Sequence, residues 1–227
     1  MSACPAPRQL ALALEHAVSF AREDFLEGLA NGAALALVDR WPDWPGRVVA
    51  VVGPAGSGKS HLASIWAATA GARFLASRAL ADTDPPAALT TGALVLEDVC
   101  EEGLNERALF HLLNFAREEG AFLLLTTRTV PAGWKVAIRD LASRLRAIPT
   151  VILAAPDDAL LRALIVKLWA DRQVAVDQSV INYVINRIER SFAAARSVVE
   201  RLDQEALRQR RPVTRALAAE LLREEEA

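Results

Sequence analysis

The sequence predicts an α/β fold: a parallel five-stranded sheet covered by helices, followed by a small all-helical lid domain. Three observations carry this expectation. Five short apolar runs alternate with helical segments between Val48 and Leu153. A glycine-rich turn follows directly on the first of these runs, Val48–Val52. After Pro156 helical patterns continue and no strand signal returns. Strands separated by helices pair in parallel, because each crossover helix carries the chain back across one face of the sheet.

Taken in order, residues 1–18 read as a flexible N-terminal tail containing Pro5 and Pro7. Residues 19–155 form the α/β unit. Its first helix, Asn31–Asp39, is rich in Ala and Leu and stops at the turn cluster Trp41-Pro42-Asp43-Trp44-Pro45-Gly46. Strands are expected at Val48–Val52, Arg73–Ala76, Ala93–Glu97, Phe122–Thr126 and Val151–Leu153, with helices at Lys59–Thr69, Asn105–Glu119 and Lys135–Leu145. Residues 156–227 form the helical domain. Asp157-Asp158 caps a helix to about Ala170, and helices follow at Gln178–Arg187, Ala193–Arg208 and Thr214–Glu225. Glu224–Glu226 reads as a frayed acidic end.

Composition narrows the function classes. Of 227 residues, 52% are hydrophobic and 24% charged, the balance of a soluble globular chain and not a disordered one. No apolar run reaches the roughly 20 residues that span a bilayer, and no basic region with a long apolar run marks a secretory signal. Only Cys4 and Cys100 occur, too few for a disulfide framework, and a reducing cytoplasm is the expected location. The net charge of −2 argues against a non-specific grip on duplex DNA. Arg208, Arg210 and Arg211 are one local basic cluster, read as a solvated helix face.

The segment Gly53-Pro54-Ala55-Gly56-Ser57-Gly58-Lys59-Ser60 reads G-x-x-x-x-G-K-S between a buried strand and a helix. Glycines let successive backbone N–H groups turn inward on a phosphate chain, and a helix N-terminus behind them favours negative charge. Lys59 is expected to reach the β/γ-phosphates and the Ser60 hydroxyl to hold Mg²⁺, with the His61 backbone N–H beside them and its ring packed inside. The ligand is a nucleoside triphosphate or diphosphate. A second element, Ala93-Leu94-Val95-Leu96-Glu97-Asp98, is an apolar strand ending in two carboxylates. Glu97 is expected near the metal and Asp98 near the attacking water. Trp66, Trp134 and Trp169 read as core anchors. His16 and His111 lack the neighbours of a zinc site.

The phosphate loop, the Glu97-Asp98 pair and the helical last third together resemble an AAA+ ATPase. Further features resemble the branch of the bacterial replication initiator DnaA, across roughly residues 20 to 210. Phe20 through Gly28, then Asn31, is similar to the family's segment against the adenine. Asp140-Leu141-Ala142-Ser143-Arg144-Leu145 resembles its arginine-finger motif, with Arg144 as the finger. Ala193-Ala194-Ala195-Arg196-Ser197-Val198 resembles its lid motif, whose arginine, here Arg196, senses the phosphates. Where that family places a polar sensor, this chain has Thr126-Thr127-Arg128-Thr129. Arg128 cannot orient water as a base would, with Thr127 the alternative for that task, so together with the Glu97-Asp98 order slow intrinsic turnover of ATP is expected.

Two features move the expectation from initiator to regulator. The initiator's helix-turn-helix DNA-binding domain has no counterpart before Ala227, so no sequence-specific DNA binding is expected. Gln9-Leu10-Ala11-Leu12-Ala13-Leu14 resembles the peptide by which partners dock on the polymerase sliding clamp: Gln9 bonds a polar rim while Leu10, Leu12 and Leu14 enter an apolar groove. The combination resembles the Hda family, which inactivates the initiator after replication starts. That resemblance implies ATP or ADP with Mg²⁺ as ligand, DnaA and the sliding clamp as partners, homo-oligomers as a further assembly, and Arg144 acting in trans. An AAA+ loader or DNA-associated replication ATPase, a small-molecule P-loop kinase and a non-catalytic nucleotide-stabilised module are the alternatives.

Overall fold

The computed structural model describes residues 20–223. Its five strands are β1 (Val48–Val52), β2 (Arg73–Ala76), β3 (Ala93–Val99), β4 (Phe122–Thr127) and β5 (Thr150–Ile152). They form one all-parallel sheet in the order β2-β3-β4-β1-β5. Helices α1 (Gly32–Asp39), α2 (Lys59–Ala70), α3 (Pro85–Ala88), α4 (Glu106–Glu118) and α5 (Arg139–Ala147) accompany the sheet. Helices α6 (Asp158–Asp171), α7 (Gln178–Ile185), α8 (Phe192–Gln209) and α9 (Arg215–Arg223) follow as the lid.

Alternation along the strands divides the core. Ala50, Val52, Leu94, Leu96, Leu123 and Leu125 face Leu109, Leu112 and Leu113 of α4 and Leu141 and Leu145 of α5. Val49, Val51, Val95 and Leu124 face the opposite way, toward Leu35 of α1 and Leu62, Ala63 and Trp66 of α2. Strands buried on both faces need apolar residues at every position, which is why these runs show no polar alternation. Trp66 is fully buried and stacks on Trp44 with ring centroids 4.9 Å apart. Trp66→Ala is expected to cost about 3–5 kcal/mol through the cavity it leaves. Guanidinium unfolding measures this, and an unchanged midpoint would count against Trp66 as an anchor of α2.

The lid has its own core, built from Leu161, Leu164, Ile165, Trp169, Val180, Ile181, Val198, Leu202 and Leu217 among others. Side chains start its helices: Asp157 accepts from Leu160 N–H at 2.8 Å, Asp177 from Ser179 N–H at 2.8 Å and Ser191 from Ala194 N–H at 3.0 Å. Each satisfies a donor that the first helical turn leaves unpaired.

Several boundaries differ from expectation. The helix expected from Lys135 begins at Arg139. Lys135 N–H instead bonds Glu101, while Ala137 and Ile138 N–H groups bond the two oxygens of Glu106, each at 2.9 Å. Carboxylates from the preceding loop and α4 thus hold these residues extended until α5 can start. Strand β3 runs on to Val99, and β5 begins one residue early, at Thr150. A 3-10 helix at Ser77–Asp82 and the short α3 fill a stretch for which no element was expected. Cys100, just past β3, is exposed, with its Sγ 3.1 Å from the Glu102 carbonyl. In the basic cluster, Arg208 pairs with Glu205 and Arg211 with Glu220, on exposed ground. The tail with Gln9, Leu10, Leu12 and Leu14 lies outside the described residues. Among the described residues no helix is long and apolar enough to cross a membrane.

Candidate nucleotide site

Because β1 lies inside the sheet, the loop that leaves its end enters a crevice between neighbouring strand ends. Gly53 opens that loop where no side chain fits: a Cβ would lie 2.6 Å from Ser57 Oγ and 2.7 Å from the Leu153 carbonyl oxygen. Gly56 has φ +70°, and a Cβ there would come within 2.9 Å of the Ala193 Cβ. Glycine is therefore required for space at the first position, and for both space and backbone hand at the second. The chain then enters α2 at Lys59.

Lys59 Nζ donates to the carbonyls of Gly53, at 2.9 Å, and Pro54, at 2.8 Å, spanning the loop it belongs to. Burial pushes the Lys59 pKa down; Asp98 opposes this, and Arg128 adds to it. The Ser57 hydroxyl is buried without a hydrogen-bond partner in the structure. Such a group is costly unless a polar ligand reaches it.

The cavity in front of the loop measures about 410 Å³. Its apolar wall includes Phe20, Phe25, Leu26, Leu164 and Phe192, and its charged wall consists of Asp24, Lys59, Asp98, Arg128 and Arg196. A ligand with one flat apolar part and one polyanionic part matches that division. Gly56, Gly58, Ser60, His61 and Asn31 complete much of the remaining lining. The glycines of the loop, the apolar wall and the three cations fit a nucleotide. Ser60, Asp98 and Asp24 bring oxygen donors to the lining, the donor type Mg²⁺ takes as a hard cation, and Ser60 and Asp98 stand at the loop and strand end.

His61 is buried between Phe20 and Phe25, whose rings meet it edge-on at 5.4 and 5.2 Å. Its Nε2 lies 3.0 Å from the Ala21 carbonyl, which can only accept, so the proton is on Nε2. Burial lowers the His61 pKa, with the Ala21 contact opposing. The ring does more than pack: it ties the Phe20–Phe25 segment to α2 and so builds the apolar wall.

At the end of β3 the two carboxylates part company. Asp98 lines the cavity, whereas Glu97, expected near the metal, is not among its lining residues. Consecutive strand residues face opposite sides, and a register shift between Leu96 and Val99 turns Asp98 to φ +52°. Thr126 on β4 anchors that bulge, its Oγ1 accepting from the Asp98 N–H at 3.0 Å. Of the two carboxylates expected near a metal, Asp98 is the one that lines the cavity. Thr127 is unavailable to orient water: it is buried, and its hydroxyl is engaged with the backbone of Thr129. Arg128, next along, lines the cavity as a further cation.

Arg196 on α8 also lines the cavity, so the lid contributes directly to the site. Burial lowers its pKa, Asp24 opposes this, and Arg172 adds to it. Arg144 is elsewhere. It sits on α5 with its guanidinium carbon 5.2 Å from the Phe110 ring centroid, in a separate cleft with Arg47 and Arg117. Asp24, Leu164 and Phe192 were not singled out from sequence. No pattern sets Asp24 apart from its neighbours in Phe20–Gly28, and the two lid residues carry no sequence signal for a place beside a distant loop.

A parallel sheet in this strand order, a phosphate loop after its interior strand and a helical lid bearing an arginine into the cavity are the AAA+ fold. No family model matches the sequence, and no curated protein matches it either. Among solved structures, the chain is similar to domain III of the Thermotoga maritima replication initiation protein DnaA. The identity is 18%, the TM-score 0.76, and the match covers 90% of this chain and 96% of that one. It is also similar to AMPPCP-bound DnaA from Aquifex aeolicus, at 15% identity and TM-score 0.65, over 81% of this chain and 64% of that one. The Thermotoga maritima RuvB Holliday junction branch migration motor matches at 16% identity and TM-score 0.68, over 89% and 70% of the respective chains. At these identities the likeness is one of fold.

Proposed function

We propose that this protein is a nucleotide-binding AAA+ regulator that, with the DNA-loaded sliding clamp, stimulates ATP hydrolysis by the replication initiator DnaA and so represses re-initiation. The observation that carries the proposal is the division of its arginines. Arg128 and Arg196 line the chain's own cavity, whereas Arg144 lies outside it on α5. An arginine away from its own phosphate loop is available to a neighbour's, where it stabilises charge on the transferring phosphoryl group.

Within the cavity, the protein's residues bind better than they catalyse. Lys59, Arg128 and Arg196 neutralise phosphate charge, and Ser60 and Asp98 would hold Mg²⁺. When bound, ATP or ADP would supply phosphates for Lys59 of the loop and Arg196 of the lid to hold. Orienting water needs a further polar group, and the Thr127 hydroxyl beside the site is engaged with the Thr129 backbone. Slow turnover by this protein alone follows, with the nucleotide acting as a control input.

The test is initiator ATP hydrolysis on DNA carrying loaded clamp, with and without this protein. The expected result is faster hydrolysis only when protein and clamp are both present. An unchanged rate overturns the proposal.

A further inference from the structure

The lid meets the phosphate loop through its backbone and the segment before α1 through one lysine. At the start of α8, Phe192 N–H donates to the Gly56 carbonyl at 3.0 Å. Away from the loop, Lys167 of α6 reaches across to the segment before α1. Its Nζ lies 2.6 Å from Asp24 Oδ1 and 3.0 Å from Asp171 Oδ2. Asp171 is one turn further along α6, so it helps to aim the ammonium. Both partners of the Lys167–Asp24 pair are about three-quarters buried, at 26% and 23% side-chain exposure. Water screens the pair less than an exposed one.

Asp24 is an awkward residue for a polyanion site. It shares the cavity wall with Arg196, and its charge supports the Arg196 guanidinium against the cost of burial. A carboxylate in that place repels phosphate and competes with it for the same guanidinium. Lys167 is not in the cavity lining; it approaches Asp24 from the lid. Its hydrogen bonds to Asp24 and Asp171 raise the Lys167 pKa, so it is charged throughout the physiological range.

The geometry points to Lys167 as a positioning residue of the nucleotide site: it pairs with Asp24 from the lid side and offsets the pull of that carboxylate on Arg196, which the ligand's phosphates need. This rests on the nucleotide reading of the cavity. The lysine acts through two other residues and touches no ligand itself. Without it, Asp24 turns to Arg196, and both phosphate affinity and the hold of the lid weaken.

Stopped-flow dissociation of the fluorescent nucleotide mant-ADP tests this with four proteins: wild type, K167M, K167R and D24N/K167M. Methionine keeps the apolar stem of lysine and removes only the charge. K167M is expected to release mant-ADP about tenfold faster, the scale of one charge-assisted hydrogen bond. K167R restores the charge and is expected to stay within about twofold of wild type. D24N/K167M removes the competing carboxylate as well, and dissociation is expected to slow again toward the wild-type rate. A merely structural tether would leave the double variant as fast as K167M, so that result overturns the proposal. Wild-type dissociation in K167M overturns it too. Far-UV circular dichroism of all four confirms that the comparison is between folded proteins. Failure of the wild type to bind mant-ADP at all is a distinct outcome: it overturns the nucleotide reading of the cavity, and the role of Lys167 with it.

Discussion

Arg144→Ala is expected to return clamp-dependent ATP hydrolysis by the initiator to near its unstimulated rate, a loss on the order of 10³-fold if Arg144 is the trans arginine. The side chain stands on α5 outside the chain's own cavity, so this protein's nucleotide affinity is expected to stay unchanged. The helix itself tolerates the change. Leu141 and Leu145 bury its inner face, and alanine is a strong helix former. What is lost locally is the contact over Phe110, a modest cation–π interaction. Arg144→Lys should rescue little, because an ammonium cannot present the planar fork that grips phosphoryl oxygens. Single-turnover hydrolysis of initiator-bound ATP gives the rate, and co-sedimentation gives complex formation. Full stimulation by Arg144→Ala would remove the finger role, and loss of complex formation would reassign Arg144 to docking.

Lys59→Met is expected to weaken mant-ADP binding at least about a hundredfold, the scale of several kcal/mol for a buried charge-assisted contact. In the structure the Lys59 ammonium is held by the Gly53 and Pro54 carbonyls, the mouth of the loop that would receive phosphate. Its depressed pKa reflects burial, so the charge is costly to keep there and is best repaid by an anionic ligand. Methionine fills the same channel without charge, and the fold is expected to remain intact. Equilibrium titration followed by thermal unfolding separates the two effects. Wild-type affinity in Lys59→Met would show that Gly53–Ser60 is only a strand-to-helix turn.

Much of the fold was legible in the chain, and the exceptions have physical reasons. The inner strands were readable because burial on both faces demands apolar runs such as Val48–Val52 and residues 122–125, whereas the edge strands β2 and β5 are largely exposed or half-buried and were placed by their spacing between helices. The start of α5 was not. Lys135–Ile138 has acceptable helix composition, but Glu101 and Glu106 claim its N–H groups from more than thirty residues away in sequence, as the separations of 34, 31 and 32 show. Similarly, Glu97 and Asp98 are adjacent carboxylates whose roles no pattern separates. A register shift in β3, anchored by Thr126 of β4, decides which of them enters the cavity.

The glycine-rich turn after β1, the alternation that builds a parallel sheet and the helices that follow it are legible along the chain. Each of these depends on local conformation or on periodicity within one element. Gly53, Gly56 and Lys59 could be read as a phosphate cradle without knowing what lay opposite them. Only the tertiary structure decided which charges share the cavity. Asp24 and Lys167 are 143 positions apart in number yet 2.6 Å apart in space, and Arg196 joins the loop only because α8 begins on Gly56. Electrostatic partners are chosen by packing, whose long-range contacts leave no spacing in the chain, whereas a glycine's backbone freedom is a property it carries wherever it stands.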